Sequence, residues 1–253
     1  DTSMAAAYDR IARGYVLTRQ PDPKIAALID EAIGKVRSVV NVGAGAGSYE
    51  PAHMAVVAVD PSIEMIRGRP PGSAPAVLAR AESLPFRSRS FDAALAVLTI
   101  HHWTSIAAGL AELHRVAIHR VVILTCDPAW GDRFWLASHY IPEIIEFDRR
   151  QLPTLGQLEE WFGEIEIREV PIPYDCKDGF LGAFWRKPEA YLDPAVRRGI
   201  SMFAKLPADV VDMGLARLSD DLRSGRWEKF FGHLRTQDSA DLGYRLVIAK
   251  LGF

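Results

Sequence analysis

Apolar residues fall into two kinds of run along this chain. In 24–33, Ile25, Ala26, Leu28, Ile29 and Ile33 recur at the spacing of one helix face and Gly34 follows as a stop, which predicts an amphipathic helix. Residues 38–42 are β-branched and apolar without alternation, the pattern of a parallel strand covered on both faces. Further strands are predicted at 54–59, 75–79, 92–98 and 120–125, with a helix over 62–67 opened by Ser62 as N-cap and another over 104–116. Beyond them the pattern predicts a helix over 130–148, a strand at 164–170, helical segments rich in Trp, Phe and Arg across 174–238, and a last strand at 244–251.

Strands alternating with helices at this rhythm predict an α/β fold: a doubly wound, mostly parallel seven-stranded sheet with a helical insertion before the last strand. Residues 4–173 and 239–253 are expected to form a cofactor-binding core, and 174–238 a helical cap over the substrate site. In such sheets ligands sit beyond the carboxyl ends of the strands, near the point where strand order reverses. The candidate polar residues collect there: three alternating glycines after the first strand, Asp60 after the second, Glu82 after the third, His101 and His102 after the fourth and Asp127 after the fifth.

Charge and composition narrow the ligand. With 30 basic against 32 acidic residues and a formal net charge of −2, the chain carries no overall cationic field for a nucleic-acid backbone. No stretch approaches the roughly 20 apolar residues of a membrane helix, and the N-terminus lacks the pattern of a secretory signal. A cytoplasmic protein acting on a small molecule is therefore expected, with neither nucleic acid nor membrane as partner; its oligomeric state is not legible. Cys126 and Cys176 are too few for a disulfide framework and not spaced as a metal site, so no metal is expected and each reads as a small buried thiol.

Glycines at a strand-to-helix turn allow positive φ and bring backbone N–H groups close to a ligand. The dinucleotide fingerprint wants its third small residue at position 48, where this chain has Ser48 and an extra glycine at Gly47. Asp60, ending a strand at the same crevice, can accept hydrogen bonds from both hydroxyls of a ribose, or can simply cap the next helix.

At this point a resemblance becomes specific. Asn41 to Gly47, Val57-Ala58-Val59-Asp60-Pro61-Ser62 with Met65, Ala81-Glu82-Ser83-Leu84-Pro85-Phe86 leading into Ser90-Phe91-Asp92, and His101-His102-Trp103 resemble four successive motifs of class I S-adenosylmethionine-dependent methyltransferases. Order and spacing agree over about residues 8–127, and Tyr8 to Tyr15 with Arg19 is similar to the N-terminal lid helix of the small-molecule branch.

The resemblance implies methyl transfer to a small-molecule acceptor, plausible in specialised metabolism, with S-adenosylhomocysteine as coproduct. It implies that Gly43, Ala44 and Gly45 line the methionine part of the cofactor and that Asp60 holds the ribose. Pro61, Ser62 and Met65 border the adenine, Ala81, Glu82 and Ser83 meet its edge, and Leu98 and Thr99 approach the sulfonium. Tyr15 and Arg19 close over the cofactor, Arg19 pairing its carboxylate in a bidentate manner. Asn41 departs from the family, which carries an acid there; its carbonyl can still accept a hydrogen bond but brings no charge to the cofactor's ammonium.

For the proton of a hydroxyl or ammonium acceptor, His101 or His102 is a candidate base, against the reading that the pair caps the strand. Asp127 is another, against a role in fixing its loop. Aromatic residues of 174–238 either form the core of the cap or wall the acceptor. A nicotinamide-dependent oxidoreductase is disfavoured by the third glycine and by segment 82–86, and Asn41 keeps open a non-catalytic cofactor-binding protein on the same fold.

Overall fold

The computed structural model describes residues 19–252. Asp22 opens the first helix, α1 (Pro23–Ile33), its carboxylate accepting the N–H groups of Lys24 and Ile25, and Gly34 closes it at φ 70°. The chain then enters β1 (Ser38–Val42), turns, and returns as β2 (Ala55–Asp60). Ser62 caps α2 (Ile63–Arg67), β3 (Ala76–Leu78) and β4 (Phe91–Val97) follow, and Ser105 caps α3 (Ile106–Val116), which runs into β5 (Ala117–Cys126).

Two departures from the expected pattern follow. The helix predicted over 130–148 is broken into a 3-10 turn at Pro128–Arg133, a π turn at Leu136–Tyr140 and α4 (Glu143–Gln151). Pro142 is the physical reason, because it has no N–H to continue a helical ladder and so starts a new helix instead. A helix the periodicity did not reveal, α5 (Leu155–Phe162), starts at a capping box in which Thr154 and Gln157 exchange hydrogen bonds.

After β6 (Ile165–Glu169) comes β7 (Ile172–Pro173), and β9 (Tyr244–Lys250) ends the sheet. β7 pairs antiparallel with β8 (Ser239–Ala240), so residues 174–238 leave and rejoin the chain at one place. Between those strands lie α6 (Pro194–Arg198), α7 (Ser201–Lys205), α8 (Ala208–Ser224) and α9 (Arg226–Phe231), with short 3-10 turns around them. No helix among the described residues is long and apolar enough to cross a membrane.

The main sheet has seven strands in the order β3-β2-β1-β4-β5-β9-β6, and β9 alone runs opposite to the other six. This is the doubly wound, mostly parallel α/β sheet expected from the sequence. Alternate residues of each strand divide between two apolar layers: Val39, Leu95, Val122 and Leu246 pack with α1, whereas Val40, Ala94, Val121 and Val247 pack with α3. Both faces are covered, which is why these strands read as unbroken apolar runs. The first layer also contains Trp185, Tyr191 and Trp227, each fully buried, so the aromatic residues of 174–238 share a core with the sheet. Strand order reverses between β1 and β4, and the crevice this opens at their carboxyl ends holds the site.

Candidate active site

Leaving β1, the chain turns through 43–49 with Gly43, Gly45 and Gly47 at φ 72°, 52° and 98°, and no helix intervenes before β2. The N–H groups of Gly43 and Ala44 both donate to Val59 O, at 2.8 and 3.0 Å, tying the turn to the end of β2. Asp60 completes this tie: Oδ2 accepts from Gly45 N and Oδ1 from Ser62 N, each at 2.8 Å. Burial pushes its carboxyl group up, against the lowering effect of those two hydrogen bonds. Each oxygen keeps a further lone pair, so the ends of two neighbouring hydroxyls can both be accepted.

These groups border a cavity of 390 Å³. Asn41, Gly43, Ala44 and Gly45 form one wall, Asp60, Pro61, Ser62 and Met65 the next, and Ala81 with Glu82 the far edge. Leu98, Thr99 and His102 close it at the end of β4. A Cβ built on Gly45 meets nothing within 4 Å, so this backbone faces open space. Leu98 holds φ at 49°, an uncommon conformation for a branched side chain and a mark of local strain beside the cavity.

Three cavity walls are set by polar partners far apart in sequence. Glu82 Oε1 accepts from Thr104 N at 2.6 Å and Ser105 N at 3.2 Å, anchoring the start of α3. Asn41 is buried, and its Nδ2 reaches Glu50 Oε1 at 3.4 Å; Arg69 Nη2 holds both oxygens of Glu50, at 2.9 and 2.7 Å. The amide is thereby oriented so that its carbonyl is the acceptor left over. Asp178, from the segment before α6, is fully buried and accepts from Arg19 and from the Tyr49 hydroxyl at 3.1 Å.

A second cavity of 90 Å³ adjoins the first and shares Arg19, Leu98 and His102 with it. Its other walls are mostly apolar, including Phe134, Ile144, Phe180 and Tyr244, with His101 and Asp148 among them. The rings of His101 and His102 stack edge to face with centroids 3.8 Å apart, and Lys205 Nζ lies 2.5 Å from His102 Nδ1.

With this geometry established, likeness to known proteins decides the family. Residues 40–124 match the family model for a methyltransferase domain. A solved chain from Anabaena variabilis ATCC 29413, described as a methyltransferase from an antibiotic biosynthesis pathway, is 32% identical; the alignment covers 92% of this chain and 99% of that one, with a TM-score of 0.84. The chain belongs to the S-adenosylmethionine-dependent methyltransferases. The fold is also that of phosphoethanolamine N-methyltransferase 2 of Haemonchus contortus in complex with phosphomonomethylethanolamine and S-adenosylhomocysteine, at 15% identity over 99% of this chain and 60% of that one, TM-score 0.60. A Bacillus subtilis chain, the YcgJ protein, is 18% identical over 88% of this chain and 95% of that one, TM-score 0.53. No curated protein matches the sequence.

S-adenosylmethionine fits the larger cavity of this methyltransferase: the open face at Gly45 and the double acceptor at Asp60 are a cradle for a nucleoside with an amino-acid tail. Four expectations from the sequence need correction. Ser83 turns its amide to Arg80 O and is not part of the cavity wall, where Arg80 stands instead. Arg19 does reach both cavities, but its fork closes on Asp178, so the bidentate partner is an internal carboxylate. Asp127 lines neither cavity; its Oδ1 accepts from Ala129 N at 3.0 Å and caps the turn Pro128–Arg133, the loop-fixing alternative. Tyr15 lies outside the described residues.

The fourth correction concerns the histidines. Burial, together with the charges of Lys205 and Arg19, pulls His101 down to about 3, and burial with His101, Lys205 and Arg19 pulls His102 well below its ordinary value. Lys205 donates to His102 Nδ1, which leaves the ring proton on Nε2. Both rings are therefore neutral near pH 7 and weak as bases. Sequence reasoning missed Asp148 and Lys205, which sit in helices, and Asp178, which sits in the loop after β7; nothing in their local sequence sets them apart from surface charges.

The histidines have a measurable consequence for stability. Their folded values lie below 6.5, so as pH falls beneath 6.5 the unfolded chain binds protons that the folded one refuses, down to about 3 for His101. Stability is lost over that interval. Asp148 acts oppositely, since burial holds its folded carboxyl at about 7 against 3.8 when unfolded. His101→Gln is therefore expected to flatten the acid-side fall in Tm between about pH 6.5 and 4.5 in calorimetry; parallel curves for variant and parent would refute the assignment.

Proposed function

We propose that this methyltransferase acts on a small-molecule acceptor, in specialised metabolism, that enters the smaller cavity while S-adenosylmethionine fills the larger. The observation carrying this reading is the pair of adjoining cavities, 390 and 90 Å³, that meet at Leu98 and His102. The Anabaena relative's description supports the metabolic setting.

In this reading residues 4–173 and 239–253 bind the cofactor, and residues 174–238 cap the acceptor. Asp60 accepts the ribose hydroxyls, and the Asn41 carbonyl accepts from the ammonium of the amino-acid tail. Gly43, Ala44 and Gly45 let the backbone approach that tail, while Pro61, Ser62 and Met65 border the adenine and Ala81 and Glu82 meet its edge. Arg19, clasped to Asp178, closes the entrance. Leu98 and Thr99 face the sulfur.

When bound, S-adenosylmethionine supplies a methyl group already activated on a positively charged sulfur. The chain's task is then alignment and exclusion of water. Leu98 and the apolar walls of the smaller cavity keep the approach dry, and the strained turn at Leu98 fixes the distance between the two compartments. Titration calorimetry is expected to detect S-adenosylhomocysteine and no reduced nicotinamide cofactor; the reverse preference would sink the reading.

A further inference from the structure

Asp148 is the charged group that the reading above leaves unused. It sits on α4, its carboxylate lines the smaller cavity, and among the described residues no hydrogen bond or ion pair within 4 Å reaches it. The side chain is half-buried, so its carboxylate is open to the cavity and free to accept from an occupant. The cation acting on it is Lys205, on α7, whose ammonium donates to His102 and lies 5.3 Å from the centroid of Phe147.

The charge balance around the cavity selects its occupant. Among the described residues Lys205 offsets Asp148 and Arg19 meets Asp178, so two cations stand against two carboxylates. A neutral acceptor leaves that balance intact, whereas an ammonium would compete with Lys205 for Asp148 and an anion would be repelled by it. At 90 Å³ the cavity is well below the roughly 300 Å³ of a pocket for a whole drug-sized ligand. It takes the reacting end of the acceptor, and its aromatic walls favour a ring.

We infer that the smaller cavity receives the hydroxyl end of a neutral, phenol-like acceptor, and that Asp148 accepts first the hydrogen bond and then the proton of that hydroxyl. This rests on the acceptor reading above. As the oxygen–methyl bond forms, the O–H bond breaks and its proton passes to the Asp148 carboxylate. The sulfur–methyl bond breaks with its electron pair remaining on sulfur as a neutral thioether, and Asp148 later releases the proton to water.

The other titratable groups around this space do not compete for the proton. Burial pulls His101 and His102 down and pushes Cys126 and Tyr244 up, so all four are neutral near pH 7, and Arg19 stays charged. Asp148, raised to about 7 by burial, and Lys205, lowered to about 8, are the pair that titrates in the working range. A base whose strength is close to the operating pH is well matched to this task.

The test uses the protein saturated with S-adenosylhomocysteine and two probes of similar size, 4-ethylphenol and 4-methylbenzylammonium. The phenol is expected to bind at least about tenfold tighter, a difference of about 1.4 kcal/mol, and Asp148→Ala to weaken it about fivefold with cofactor affinity unchanged. With S-adenosylmethionine the phenol should be methylated, faster as pH rises from about 6 to 8, and Asp148→Asn should slow turnover about 100-fold. Asp148→Asn preserves the side-chain shape if the alanine variant folds poorly. Tighter binding of the ammonium, or no saturable phenol binding by protein that does bind S-adenosylhomocysteine, overturns the proposal. So does phenol binding without methylation, or an Asp148→Asn variant at full rate. Failure to bind S-adenosylhomocysteine at all would instead overturn the cofactor site.

Discussion

Gly43→Ala is expected to destabilise the protein by about 3 kcal/mol or more and to abolish binding of S-adenosylhomocysteine. Two penalties add. A left-handed backbone costs a residue with a Cβ roughly 1–2 kcal/mol, and Gly43 sits at φ 72°. The new Cβ would also press on Thr99, inside contact distance of its hydroxyl oxygen and 2.7 Å from its Cβ, and Thr99 is itself buried at the head of the turn after β4. Overpacking of this kind costs about 1–3 kcal/mol. The turn cannot retreat, because the N–H groups of Gly43 and Ala44 are both held by Val59 O.

Gly45→Ala makes the informative contrast. That position has φ 52° and nothing within 4 Å of the added Cβ, so stability should fall by only about 1–2 kcal/mol while the methyl group occupies the cavity. Urea unfolding and calorimetric titration of both variants separate strain from lost space. If Gly43→Ala unfolds within about 1 kcal/mol of the parent and binds normally, the close approach between β1 and β4 is not what shapes this site.

Asp60→Ala should lower the affinity for S-adenosylhomocysteine about 100-fold or more. Two hydrogen bonds to a charged acceptor are worth about 1.5 kcal/mol or more each, and together that is two powers of ten in dissociation constant. The alanine variant also strips the N–H groups of Gly45 and Ser62 of their partner, so some loss of stability accompanies the loss of affinity. Asp60→Asn distinguishes the two roles. Its single carbonyl can serve only one of those N–H groups, and its amide donates where the carboxylate accepted, so stability should recover in part while affinity stays at least about tenfold down. Unchanged affinity in either variant would reduce Asp60 to a residue that braces the turn.

Much of this molecule is visible in its one-dimensional pattern. The runs that become β1, β2, β4 and β5 are apolar through their middles because each strand is covered on both faces, and Ser62, Gly34 and the alternating glycines mark where elements begin and end. Those signals are local: a cap, a turn or a buried strand depends on neighbours within a few residues. The order of motifs from Asn41 to His102 is local in the same sense, and it carried both the fold and the cofactor.

Partner choice for the polar groups was not visible. Arg19 meets Asp178 across 159 positions, Lys205 meets His102 across 103, and Asn41 leans on a Glu50 that Arg69 holds from another loop. An arginine or histidine reads the same in sequence whether it waits for a ligand or is already paired. Its charge state depends on burial and on the field of groups brought near only by folding. The sequence by itself therefore determined the sheet, its switch point and the glycine turn beside Asp60, whereas tertiary structure decided that burial disfavours the charged forms of His101 and His102, that Asp127 is a cap, and that the carboxylate-bearing Asp148 on α4 lines the smaller cavity.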